Sequence, residues 1–254
     1  MAHILAIHSF RGGTGKSNLT ANLATVLALQ GKRVAVFDTD LASPGIHVLF
    51  GFTPAAGQCT LNDHLQGDAP VVDCAHDVTP EQVKQAHGRI WLVPASMDSD
   101  SIARLLREGY QVEKLNDALF ALSEKLNLDI VLIDTHPGIN EETLLSTAIA
   151  DCLLMVMRPD SQDYLGTAVA IEVAERLDVP AIRMVVNKLP EHFDQEQVRE
   201  RVATSYGVPM GALLPLSEDL LTLASGGLAV LTFPNHPWSY GVGQLAQGLI
   251  ETVL

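Results

Sequence analysis

Apolar residues return along this chain in two alternating rhythms. Short unbroken runs of strand length occupy Ile4–Ile7, Val34–Phe37, Ile90–Val93, Ile130–Ile133, Leu153–Met157, Ile182–Val186 and Ala212–Leu214. Between them lie longer stretches of helical period, which predict helices over residues 17–30, 99–108, 112–126, 142–149, 162–177, 195–206, 218–224 and 239–253. Strands alternating with helices build βαβ units, so the expected architecture is an α/β fold: a doubly wound, mostly parallel sheet with helices on both faces. From Thr53 to His87 the periodicity weakens and Gly, Pro, Asp and His become frequent. That segment is expected as a surface excursion with a short helix at Leu61–Leu65.

The length of 254 residues and the 47% hydrophobic content suffice for one large core, so a single domain over 1–254 is expected. Acidic residues outnumber basic ones 30 to 16, a net charge of −14, which argues against a protein held to nucleic acid or anionic lipid by its global charge. The cysteines Cys59, Cys74 and Cys152 are odd in number and widely spaced, with no C-x-x-C among them. Neither a disulfide framework nor a C-x-x-C metal or redox site is supported, and a reducing cytoplasm fits best. No basic leader precedes the first strand, and no run approaches the roughly 18 apolar residues of a membrane span.

The candidate chemistry begins at residues 8–24, HSFRGGTGKSNLTANLA, where a strand gives way to a helix. Main-chain N–H groups at such a junction converge on an anion at the positive end of the helix, and glycines admit the close approach. Gly12, Gly13 and Gly15 serve that purpose with Thr14 and Asn18 beside them, Lys16 neutralises β and γ phosphates, and the Ser17 hydroxyl suits Mg²⁺. The usual first glycine is missing, because Phe10 stands in its place. Further on, VFDTDLASPGIHVLFG puts Asp38 and Asp40 at the carboxyl end of a strand, where doubly wound sheets bind ligands. One of the pair can support a metal through water while the other orients an attacking water.

The [K/R]-G-G-x-G-K-[ST] pattern, together with Asn22, Leu23 and Ala24, resembles the deviant Walker A motif of the MinD/ParA family of P-loop ATPases, a SIMIBI-type NTPase fold. The resemblance runs through nearly the whole chain and implies an ATP-dependent switch that uses Mg²⁺ and forms a homodimer when ATP is bound. It implies that Arg11, standing where the family has a lysine, reaches across the dimer to the partner's phosphates; a guanidinium can grip two phosphate oxygens at once. By the same resemblance Asp40 activates water and Asp38 belongs to the outer shell of the metal. The run DIVLIDTHPGINEE resembles the family's Walker B and second switch, so that Asp134 would hold Mg²⁺ through water and the Gly138 N–H would meet the γ-phosphate. His136 within it is expected to be a packed or hydrogen-bonded residue rather than a catalytic one. Asn187, in NKLP, resembles the family's adenine-reading asparagine, and Pro190 stands where a guanine reader needs an aspartate, which favours ATP over GTP.

Several functions share this chemistry. A switch that positions a cargo or regulates a protein partner is the leading expectation. A metabolic ATP-dependent enzyme, of the dethiobiotin-synthetase-like ligase kind, is the alternative, with its substrate groups hidden in the 53–87 excursion. SPGIHVLFG also resembles a stretch of the Mrp iron–sulfur scaffold ATPases, but those need paired cysteines. From Ser239 to Leu254 the only charge is Glu251, and Val242, Leu245, Ala246, Leu249, Ile250 and Val253 form one stripe expected to dock on the core rather than act as a basic membrane-targeting helix. Arg104, Arg107, Arg199 and Arg201 are interleaved with acids, so nonspecific DNA binding is not favoured.

Overall fold

A computed structural model describes residues 1–55 and 57–254, leaving aside the side chains of residues 112, 141, 142 and 145. The strands are β1 (His3–His8), β2 (Arg33–Asp38), β3 (His76–Asp77), β4 (Arg89–Val93), β5 (Ile130–Asp134), β6 (Cys152–Met157), β7 (Ile182–Leu189) and β8 (Met210–Pro215). They form one sheet in the order β3-β4-β2-β5-β1-β6-β7-β8, parallel throughout except for the short antiparallel pair β3 and β4. The helices are α1 (Lys16–Leu29), α2 (Ile46–Leu49), α3 (Leu61–Gln66), α4 (Glu81–Gln85), α5 (Ser99–Glu108), α6 (Val112–Leu126), α7 (Glu141–Ala148), α8 (Ser161–Arg176), α9 (Gln195–Tyr206), α10 (Glu218–Leu223), α11 (Ala229–Thr232) and α12 (Pro237–Thr252).

Alternation along each strand splits the core into two layers. Ala6, Phe37, Val131, Ile133 and Met155 join Leu115, Leu119 and Leu122 of α6 and Ile171 of α8 on one face. Leu5, Ile7, Val36, Leu132 and Leu154 join Leu19, Leu23 and Leu27 of α1 and Trp238, Val242 and Leu245 of α12 on the other. Because β1 lies between β5 and β6 while the chain leaves it for β2, the strand order reverses direction at β1. That reversal opens a crevice at the carboxyl ends of the central strands, the place where such sheets take ligands.

The doubly wound expectation holds, as does the docking of the last stripe, since Val242, Leu245, Ala246 and Leu249 are buried. The excursion needs correction. Leu61, Leu65, Val71, Cys74 and Val83 are buried in the two layers, so residues 53–87 are more than a surface detour. The short helix expected at Leu61–Leu65 is α3, whereas α4, with five residues, and β3, with two, are too short to display a period.

Candidate functional site

The loop from β1 to α1 is shaped by its neighbours. Gly13 and Gly15 take φ of 79° and 89°, left-handed values that glycine adopts without strain. Behind the loop, Asn187 at the end of β7 donates from Nδ2 to the Thr14 carbonyl at 2.9 Å and accepts at Oδ1 from Trp238 Nε1 at 3.1 Å. A Cβ on Gly15 would stand 2.5 Å from that Nδ2, so the closeness of the clamp itself demands glycine. Lys188 donates to the Gly13 carbonyl at 2.8 Å. In front of the loop is a cavity lined by Gly12, Gly13, Gly15, Lys16, Ser17 and Asn18, with Asp38, Asp40 and Pro137 across from them. The first-turn amides of α1 have no side-chain cap, which leaves them as anion donors.

The carboxylates follow from strand register. Asp38 and Asp134 are paired residues of the adjacent strands β2 and β5, so their side chains stand together at the sheet's end. Lys16 Nζ donates to Asp134 Oδ1 at 2.9 Å, both groups buried, and Thr20 Oγ1 donates to the same oxygen at 3.1 Å. Asp38 is fully buried and accepts from the Asp40 and Gly45 N–H groups at 3.2 and 3.3 Å. Burial first, and then the charge of Asp134, pushes its carboxyl up to about 8. Lys16 bonds only one of the two buried carboxyls, Asp134, and Asp38 keeps its proton until a second cation takes that place. Together with the Ser17 hydroxyl the two carboxyls are hard oxygen donors, a set that fits Mg²⁺. His8, at the end of β1, shares a 2.8 Å hydrogen bond with Thr135 Oγ1, and burial, helped by Lys16 and His136, pushes it down to about 3.

Asp40 stands at the mouth of the cavity. Its Oδ1 accepts from His136 Nδ1 at 2.7 Å and from the Ser43 N–H at 3.0 Å. A second cavity, lined by Gly15, Asn18, Asn187, Pro215, Leu216, Leu220 and Ser225 among others, adjoins the first and has the apolar walls and amide edge that a flat base needs. The second Nδ2 hydrogen of Asn187 is not used by the Thr14 clamp.

Two of the expected groups have partners within the single chain. Arg11 does not face the cavity: its Nη1 donates to Gln162 Oε1 and lies 3.6 Å from Asp163 and 3.9 Å from Asp160 at the start of α8. The Gly138 N–H donates to the Ser9 carbonyl at 3.1 Å. Thr20, Lys188, Trp238 and Gly166 carried no readable signal. Gly166 is part of the site because a Cβ there would collide with the ring of Phe10, at 1.9 Å from its Cδ1. The residue that replaces the usual glycine thus pins the loop to α8.

This arrangement has relatives. The model of the CobQ/CobB/MinD/ParA nucleotide binding domain matches residues 5–230. An uncharacterized ATP-binding protein of Methanocaldococcus jannaschii is 30% identical, covering 98% of this chain and 88% of its own length. An iron–sulfur cluster carrier protein of Pseudomonas fragi is 28% identical over 92% of this chain and 80% of its own. Among solved structures, the septum site-determining protein MinD of Pyrococcus horikoshii, complexed with Mg-ADP, superposes with a TM-score of 0.80 at 23% identity, covering 98% of this chain and 96% of that one.

Proposed function

The chain belongs to the CobQ/CobB/MinD/ParA nucleotide-binding family, and we propose that within it the protein is an ATP-hydrolysing switch that pairs with a second copy of itself when ATP is bound. The observation that carries this reading is the glycine loop with Lys16 set against Asp134 and Asp38, and Asp40 held at the opposite wall of one cavity. ATP enters with its phosphates on the loop amides of Gly12, Gly13, Thr14, Gly15 and Ser17, and its base in the adjoining cavity beside Asn18 and Asn187. Lys16 exchanges Asp134 for the phosphates. Asp134, Asp38 and Ser17 would hold Mg²⁺, Asp134 and Asp38 through water, and the ion would supply charge neutralisation at the phosphate oxygens. Asp40, whose Oδ2 takes no hydrogen bond from the described residues, orients the attacking water.

Arg11 completes the site in trans. Its present partners do not forbid this: the exposed pair with Asp160 at 3.9 Å is worth no more than about 1 kcal/mol, and the buried Asp163 is already bonded by the Arg158 guanidinium at 3.2 Å, so its charge does not depend on Arg11. The partner's triphosphate offers more charge than the start of α8. Acting as one domain in the reducing cytoplasm, the dimer would present a surface to a cargo or a protein partner and lose it on hydrolysis. The cluster-carrier reading ranks lower because Cys74 and Cys152 are buried, leaving Cys59 alone partly exposed. A ligase with its substrate groups in residues 53–87 ranks lower because so much of that segment is committed to the core.

Light scattering of the purified protein with ATP and with ADP, joined to phosphate release, tests the switch. ATP should yield a dimer and ADP should not. Asp40→Ala should keep ATP binding and trap the dimer, while Lys16→Ala should lose binding. Pairing that ignores both substitutions would overturn the proposal.

A further inference from the structure

We propose that His136 is the positioning residue of the hydrolytic step, holding Asp40 in the orientation that aims its free oxygen at water. This rests on the hydrolytic reading above and deepens it by a residue that the loop motifs do not specify.

A carboxylate oxygen can only accept, so the 2.7 Å contact requires the hydrogen of His136 to sit on Nδ1. With the Ser43 N–H at 3.0 Å, Oδ1 of Asp40 carries two donors, while Oδ2 carries none among the described residues. A carboxylate doubly anchored through one oxygen cannot rotate about its side-chain bonds without losing both, so the other oxygen is held in place. The side chains are 33% and 15% exposed, so bulk water screens the bond only in part.

The anchor is itself fixed. The His136 carbonyl accepts from Thr143 Oγ1 at 3.3 Å, and the Thr143 N–H donates to Asn140 Oδ1 at 2.8 Å, so the imidazole rides on the start of α7. Two residues later Gly138 is bonded to Ser9, at the foot of the phosphate loop. The imidazole therefore joins the segment after β2 to the segment after β5, which are the two walls closing on the γ-phosphate end of the cavity. When both segments are in place Asp40 is aimed; when either departs it is not.

Turnover and ATP affinity are measured for the full chain carrying His136→Ala, His136→Asn, Asp40→Ala and the Asp40→Ala, His136→Ala pair. His136→Ala should lower kcat by about 10- to 100-fold, the usual effect of losing an orienting partner, with KM and fluorescent-ATP affinity within about threefold. His136→Asn, whose amide N–H stands close to where Nδ1–H stood, should recover most of that loss. In the Asp40→Ala background the histidine change should add nothing, since a positioning residue has nothing left to position. If Asp40→Ala is slow while His136→Ala turns over at the wild-type rate, the positioning role is overturned and the hydrolytic reading stands. If Asp40→Ala hydrolyses as fast as the wild type, the hydrolytic reading itself fails. Equal losses in the alanine and asparagine variants, with ATP affinity intact, would also overturn it.

Discussion

Gly166 offers a test of how the phosphate loop is held. The residue lies inside α8, where alanine is the better helix former by about 0.8–1.0 kcal/mol. On propensity alone Gly166→Ala should stabilise the protein. The structure predicts otherwise, because the added Cβ would lie 1.9, 2.3 and 2.4 Å from Cδ1, Cε1 and Cγ of Phe10. Carbon atoms prefer about 3.5–4.0 Å, so the ring must retreat by roughly 1.5–2 Å. Overpacking of that kind costs about 1–3 kcal/mol, which outweighs the helix gain and leaves a net loss of up to about 2 kcal/mol. Because Phe10 directly precedes Arg11 and Gly12, its retreat also displaces the loop and should weaken ATP binding. The assay is a double-mutant cycle by urea unfolding, with Phe10→Ala as the second change. In the Phe10→Ala background the clash is gone, and Gly166→Ala should turn stabilising by about 1 kcal/mol. The same effect of Gly166→Ala in both backgrounds would show that the ring does not pack on this helix as described.

Two further outcomes are expected. Arg11→Ala should leave the ATP affinity of the single chain nearly unchanged yet weaken ATP-dependent pairing and slow turnover by about 10³-fold, the low end for an arginine acting in trans; unaltered turnover would defeat that assignment. Stability of the nucleotide-free protein should depend on pH through two opposed groups. His8, pushed down to about 3, adds stability as pH rises toward 6.5, whereas Asp38, pushed up to about 8, removes it as pH rises from about 4. Between about 4 and 6.5 they offset one another. From about 6.5 to 8 only Asp38 remains, so unfolding titrations should show a decline of roughly 2 kcal/mol that Asp38→Asn abolishes.

The site divides by sequence distance. Gly12 to Ser17 are legible because a phosphate loop is local: the strand, the glycines and the helix start lie within one continuous stretch. Asp38 and Asp134 are legible for a related reason, since each ends an apolar run and strand ends collect at one edge of a parallel sheet. The contacts that tune these groups are separated by far more chain. His136 meets Asp40 across 96 residues, Asn187 meets Thr14 across 173, and Arg11 meets Gln162 across 151. The family resemblance puts Gly138 at the γ-phosphate and Arg11 on the partner's phosphates, and within the single chain Gly138 bonds Ser9 and Arg11 lies beside Asp163.

What the sequence determined unaided is the layering and the family's loop, because hydrophobic period and glycine spacing act through backbone geometry within a few residues. Tertiary structure alone decided that Phe10 pins the loop to α8, that Asp38 and Asp134 crowd one another, and that His136 faces Asp40. Those are consequences of strand order, which brings the ends of β1, β2 and β5 together. Burial at that junction then sets the charges, and no one-dimensional pattern carries the dielectric surroundings of a side chain.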